Sequence, residues 1–304
     1  MKRVVSVSLG SSKRDHTARV EILGKIFEIS RRGTDGDFQK ALELLQELDG
    51  KVDAIGLGGI DVYVYVRGKR YAIEDGLRLM RAVARTPVVD GSGLKNTLER
   101  EAVRYLTRET EFLRPGTKVL VVSAVDRFGM AEALTEAGCD LVFGDLIFAL
   151  GIPHPIRTLP ELERIANKLL PEMVKLPIEK LYPIGKKQET QDTEKTQKFA
   201  RFYNEAQVIA GDFHLIRRFL PEKLSGQVIL TNTTTKDDVA LLKERGAGWL
   251  VTTTPEYEGR SFGTNVMEAV FVVLIGRPWG EIVPENYMEL LRRINYRPRI
   301  TPLN

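Results

Sequence analysis

Cysteine is the first scarcity: one residue in 304. A lone thiol excludes an intramolecular disulfide and any multi-cysteine metal site. Cys139 stands just ahead of the apolar run Leu141-Val142-Phe143 and reads as a small buried residue. Histidine is nearly as rare, and His16, His154 and His214 share no metal-ligand spacing, so no metal is expected. Long apolar runs are missing too. The longest covers residues 269–275, the length of a buried helix segment and too short for a membrane span. The opening MKRVVSVSLGSS has basic residues but no apolar core of signal-peptide length. Blocks of like charge are also absent: 45 Lys+Arg meet 41 Asp+Glu, for a formal net charge of +4. Pairs such as Arg31-Arg32 and Lys186-Lys187 are short and have acids nearby. These absences argue against nucleic acid and membrane as partners and for a soluble, cytoplasmic chain. Nothing in the composition opposes a homo-oligomer.

What is present is ordinary for a globular protein, with 43% hydrophobic and 28% charged residues. The length suits two ordinary domains, or one large domain with an appendage. The first third mixes strands and helices irregularly. Strands are expected over 3–9, 19–23, 25–29, 52–57 and 87–89, with a hairpin turning at Arg67-Gly68. A helix over 38–48 places Phe38, Ala41, Leu42, Leu45 and Leu48 on one face, with Asp37 as its cap and Gly50 as its stop. Further helices are expected near 74–84 and from about Asn96 to Thr107. Pro115-Gly116 is the best domain boundary, dividing 1–115 from 116–304.

After it, strands over 119–125, 141–144, 180–183, 207–210, 228–231 and 249–253 alternate with helices. That alternation predicts a mostly parallel, doubly wound (Rossmann-like) α/β sheet beside a smaller α+β N-terminal domain. A (β/α)8-type barrel is the alternative if residues 52–57 and 87–89 join the same sheet. Residues 179–198 read as a solvated surface loop. The tail holds one helix and then a proline-punctuated end directed back to the first domain.

Several strands stop in polar loops, and ligands of parallel sheets bind where carboxyl ends meet such loops. Residues 227–268 show this most clearly, with Asn232 and Thr234 after one strand and Arg260, Ser261 and Asn265 after another. Arginine between glycines supplies a forked donor suited to carboxylate or phosphate. Ser11, Ser12 and Lys13 after the first strand resemble an anion cradle, although a solvated hairpin turn would look the same. Asp90-Gly91-Ser92-Gly93-Leu94-Lys95-Asn96 sits between a buried strand and a helix start, where free amides favour an anion. There Lys95 could act as acid/base, or Asn96 could simply cap the helix. Asp126, Asp145, Asp212 and His214 follow other strands, positions that helix caps also fill. Gly56-Leu57-Gly58-Gly59-Ile60-Asp61 fails as a dinucleotide fingerprint, because Asp61 replaces the last glycine and a strand follows.

The blocks VVSVSLGSSKRDH, RRGTDGD, GLGGID, VDGSGLKNTLER and EGRSFGTNVMEA resemble, along the whole chain, a bacterial family usually labelled quinate 5-dehydrogenase. KVLVVSAVDRFGMAEALTEAG is similar to the cofactor strand and helix of quinate/shikimate dehydrogenases. The resemblance implies reversible oxidation of a small cyclic hydroxy acid with NAD or NADP. Lys95 would be the acid/base, Asp126 its partner, and Arg260 the clamp on the substrate carboxylate. The chain departs from that pattern at Ser123-Ala124-Val125-Asp126-Arg127-Phe128, where those enzymes carry a glycine-rich turn. The residues alone equally suit a nicotinamide-independent transferase or lyase acting on a phosphate- or carboxylate-bearing metabolite. They also suit a non-catalytic sensor that closes two domains over a small anion. All three readings share a small anionic metabolite as partner and a site between the domains.

Overall fold

The computed structural model describes residues 1–181, 191–257 and 260–304, and of Glu256, Tyr257, Arg260 and Ser261 the backbone alone. The chain starts with β1 (Lys2–Ser8), β2 (His16–Ile22), β3 (Lys25–Gly33), α1 (Phe38–Leu48) and β4 (Ala54–Gly58). A hairpin of β5 (Tyr63–Val66) and β6 (Lys69–Ala72) precedes α2 (Glu74–Met80), β7 (Val88–Val89) and α3 (Ser92–Glu109). Next come β8 (Lys118–Val121), α4 (Phe128–Glu136), β9 (Asp140–Phe143), α5 (Leu159–Met173), α6 (Ile178–Leu181) and α7 (Thr193–Glu205). They are followed by β10 (Val208–Ala210), α8 (Phe213–Arg218), β11 (Val228–Thr231), α9 (Lys236–Glu244) and β12 (Trp249–Thr252). The pair β13 (Glu256–Tyr257) and β14 (Arg260–Ser261) leads to α10 (Thr264–Ile275), α11 (Pro284–Arg293) and β15 (Arg299–Pro302).

The fold is mixed α/β with sheets rich in parallel pairs, and it divides into two compact units. Met1–Thr97, Leu169–Gln188 and Tyr257–Tyr296 build the first; Leu98–Lys168, Glu189–Glu256 and Arg297–Asn304 build the second. Pro115-Gly116 therefore lies within a stretch of the second unit.

The first unit holds a five-stranded sheet of order β2-β3-β1-β4-β7. β1 runs parallel to β3 and β4, β4 runs parallel to β7, and β2 is antiparallel on the edge. The pattern of burial follows from those positions. From Val4 to Ser8 every residue of β1 is buried, as a strand covered on both faces requires, whereas β2 alternates like a strand wet on one side. Helix α1 buries Ala41, Leu45 and Leu48, and Asp37 caps it by accepting the Lys40 N–H at 2.9 Å. Phe38 is half-buried beneath the Arg78 guanidinium of α2, 4.8 Å from the ring centre. Helix α10 packs on β4, β1 and β7 and buries Val266, Met267, Val270, Phe271 and Val272. Close approach there needs Gly91, whose φ is +93° and whose missing Cβ would stand 2.7 Å from the Asn265 nitrogen.

The second unit holds a six-stranded sheet of order β15-β12-β11-β10-β8-β9, parallel except for β15. Its core gathers Leu120, Val122, Phe148, Phe199, Tyr203, Ile209, Phe219 and Ile229. Two separate sheets replace the barrel alternative, because β4 pairs with β1 and β7 with β4 in the first sheet, and neither joins the second.

Three local expectations are corrected. The strand expected at 180–183 is instead the end of helix α6, where the Lys180 N–H bonds the Pro177 carbonyl and Asp75 accepts the Ile178 N–H; residues 182–190 lie outside the described chain. Helix α3 begins at Ser92, a full turn before Asn96, because Asp90 caps it by accepting both the Ser92 N–H and hydroxyl. The proline-punctuated end of the tail belongs to the second unit: β15 pairs antiparallel with β12, on a sheet edge where a proline is tolerated.

Candidate functional site

In each parallel sheet the strand order reverses once, and at that point the loops diverge and leave a crevice. In the first sheet the reversal lies between β1 and β4, since β3 and β4 flank β1. It is closed by backbone: the Leu9 N–H bonds the Gly58 carbonyl at 2.9 Å. In the second sheet the reversal lies between β8 and β10, since β9 and β10 flank β8. Here the loops carry charge.

The turn after β8 presents Asp126 and Arg127, and the turn after β10 presents Asp212. Arg127 is 3% exposed. Its guanidinium pairs with Glu99 of α3 and, at 2.8 Å, with the Asp212 carboxylate. Its Nε lies 3.7 Å from Asp126. Asp212 also accepts the His214 N–H at 2.9 Å, capping α8, and the Asn232 side-chain amide at 3.2 Å. The Asn232 side-chain oxygen accepts the Thr231 hydroxyl, and its carbonyl accepts the Thr254 hydroxyl, each at 3.0 Å. Gly211 makes this possible: at φ +137° it has no Cβ, which would meet the Val122 methyl at 2.6 Å. Burial pushes the Asp212 carboxyl up, but Arg127 and His214 pull harder and hold it below the usual range. Three carboxylates gather round one guanidinium, with His214 beside Asp212. Asp126 and Asp212 keep 11% and 21% of their side chains in solvent.

The turn after β8 is fastened from below. Asp145 accepts the Val125 N–H at 2.9 Å and the Ala124 N–H at 3.1 Å. Those amides lie in the turn ahead of helix α4, which begins at Phe128. A carboxylate of the chain itself already fills them.

The same substitution of an internal acid for an external anion recurs in the first unit. The Ser12 N–H and hydroxyl both go to Asp35, at 2.9 and 2.7 Å. Ser11 caps the short turn Ser12–Arg14 by accepting the Lys13 N–H, and Lys13 is exposed. Asp90 is saturated, holding Val62 and Tyr63 amides at 2.6 and 2.9 Å besides Ser92. Lys95 pairs with Asp61 at 3.2 Å, and Asn96 lies inside α3. The Asn265 amide donates to the Ser6 hydroxyl at 2.9 Å, fastening α10 to β1. The side chains of Arg260 and Ser261 lie outside the described residues.

The predicted residues thus fall in two groups. Ser11, Ser12, Lys13, Asp90, Ser92, Lys95, Asn96 and Asn265 belong to the first unit; Asp126, Asn232 and Thr234 belong to the second. Of these, the structure brings Asp126 and Asn232 together around Arg127 and Asp212. Arg127 and Glu99 were not among the candidates. Glu99 had a legible signal, because it falls on the face of α3 that buries Leu98, Ala102 and Val103. Glu268 was also missed, an acid within the apolar run of α10. It is 1% exposed and accepts the Tyr287 hydroxyl at 2.7 Å, while its Oε2 has no hydrogen-bond partner. Burial, with Asp90 adding to it, pushes its carboxyl up to about 8. Among the described residues no group of three or more His, Cys, Asp or Glu is arranged to hold a metal ion. Nor is any described helix long and apolar enough to cross a membrane.

Residues 93–303 match the model of the family described as a domain of unknown function (DUF8754). The chain belongs to that family. Residues 3–90 match a second model with the same description, DUF8753. No curated protein matches the chain. Solved structures similar to this DUF8754 chain include a galactofuranose binding protein, at 13% identity and TM-score 0.40 over 97% of this chain and 99% of that one. A periplasmic ribose ABC transporter protein from Conexibacter woesei is similar at 11% identity and TM-score 0.34, over 83% and 80%. An ABC transporter periplasmic solute binding protein from Actinobacillus succinogenes with bound D-allose is similar at 9% identity and TM-score 0.35, over 100% and 98%. These findings correct the quinate 5-dehydrogenase resemblance and the oxidoreductase activity it implied. The family models that match are DUF8754 and DUF8753, and the similar structures named here are of sugar-binding and solute-binding proteins.

Proposed function

We propose that the chain binds a small, uncharged, hydroxyl-rich metabolite at the carboxyl edge of its second sheet. The observation that carries this reading is the convergence of Asp126, Arg127, Asp212 and Asn232 at the β8/β10 reversal. Carboxylates gathered at one guanidinium, with the Asn232 amide fastened to Asp212, offer paired acceptors and donors, the chemistry that vicinal hydroxyls match. An anion fits poorly. It would meet three carboxylates around a guanidinium already paired with two of them.

Isothermal titration of the purified chain with D-ribose, D-galactose and myo-inositol, against quinate and inorganic phosphate, tests the reading. At least one neutral polyol is expected to bind, and Asn232→Ala or Asp126→Asn to weaken it about tenfold, the size of one lost hydrogen bond. Binding of quinate or phosphate with no response to any neutral polyol would sink it.

A further inference from the structure

Asp145 stands two residues beyond β9, at the start of a π-helical turn, Asp145–Ala149. Such turns are rare and concentrate at functional sites. Three restraints fix this one. Gly144 continues the ladder by donating its N–H to the Val121 carbonyl at 2.8 Å. Phe148 folds back over Gly144, where a Cβ would be 2.5 Å from the ring, and packs among Phe199, Tyr203 and Phe219. The far end of the loop returns to the sheet, with the Phe143 N–H bonding the Ile156 carbonyl at 2.8 Å. Asp145 is therefore mounted on a closed, core-anchored loop, and its two carboxylate oxygens reach successive amides of the turn after β8.

Across that turn the Arg127 N–H bonds the Ala124 carbonyl at 3.0 Å. Arg127 ends it in a non-helical conformation at the N-cap of α4, with no side-chain hydrogen bond capping the helix. The residues that face the β8/β10 reversal, Asp126 and Arg127, directly follow the two amides that Asp145 holds. We infer that Asp145 is the positioning residue of this site, its carboxylate fixing residues 124 and 125 so that Asp126 and Arg127 are presented at the sheet edge. The inference rests on the reading of that edge as the ligand site. An acceptor is needed at both oxygens, so the near-isosteric amide cannot replace it: one amide of the turn would face an NH2 group.

The test pairs affinity with a signature that loss of packing alone would not produce. In the ligand-free protein, the backbone amide protons of Ala124 and Val125 are expected downfield and slow to exchange. In Asp145→Asn one of the two should move upfield and exchange faster, while amides of the distant strand β11 stay unchanged. Affinity for whichever of D-ribose, D-galactose or myo-inositol binds should fall at least tenfold. Asp145→Glu, which keeps both acceptors, should recover part of both effects and provides a second variant if the asparagine form folds poorly. Unchanged Ala124 and Val125 amides overturn the assignment, as does unchanged affinity with shifted amides. If the wild-type protein binds none of the three polyols, the site reading fails, and the amide signals alone decide whether Asp145 organises the turn.

Discussion

Glu268 carries a cost that the fold pays in every molecule above neutral pH. Its carboxyl sits against Tyr287 and Asp90, and burial raises it to about 8 from an ordinary value of 4.5. A carboxyl raised in the folded state binds its proton more tightly there than in the unfolded chain. Its contribution to stability is therefore complete below pH 4.5 and is lost as the pH climbs through about 8. Each pH unit across that window removes up to about 1.4 kcal/mol. Denaturant unfolding at pH 5 and pH 9 should show a marked decline for the native chain, and a smaller one for Glu268→Gln. An equal decline in both would place the effect elsewhere. Asp145, raised by burial to about 6, acts with the same sign over a lower window.

At the scale of elements, the alternation of strands and helices was legible because parallel strands are buried on both faces and appear as short apolar runs. Helix α1 shows the same legibility, with its cap at Asp37. The short helix α6 was not legible, because its start depends on Asp75, a partner 103 residues away. The same distance effect hid the site. Polar loops after strands stood out, but their partners did not: Asp90 reaches back 28 residues to Val62, and Arg127 reaches 85 residues forward to Asp212. Reading each loop alone made Ser12 and Ser92 look like empty anion cradles. Carboxylates fill both: Asp35 reaches Ser12 across 23 residues, and Asp90 holds Ser92 from the same loop. Close packing of elements gives its own prediction. Gly91→Ala places a methyl against the Asn265 backbone at a positive φ and should cost about 3 kcal/mol. The denaturant midpoint should fall with little change in slope; an unchanged midpoint would mean that α10 can shift freely.

At the scale of the whole molecule, each unit is assembled from stretches distant in sequence. Residues 1–115 contain all five strands of the first sheet but lack α10. The five large apolar side chains that α10 buries represent roughly 10 kcal/mol at about 2 kcal/mol each, comparable with the net stability of a whole domain. A fragment of residues 1–115 is therefore expected to give poorly dispersed amide signals and no cooperative unfolding transition. A well-dispersed spectrum would show that the sheet stands without its covering helix.

The late place of α10 in the chain also bears on synthesis. At roughly 5–20 residues per second, β4 leaves the ribosome some 10–40 seconds before α10 is complete. For that interval the first sheet exists without the helix that shields it. β12 likewise waits for residues 299–302, exposing a flat row of unpaired backbone groups at the sheet edge. Neither unit can finish folding on the nascent chain before most of the protein has been made. Chaperone dependence and aggregation during expression should therefore respond to changes in α10 and β15 more than to equally destabilising changes in β1 or α1.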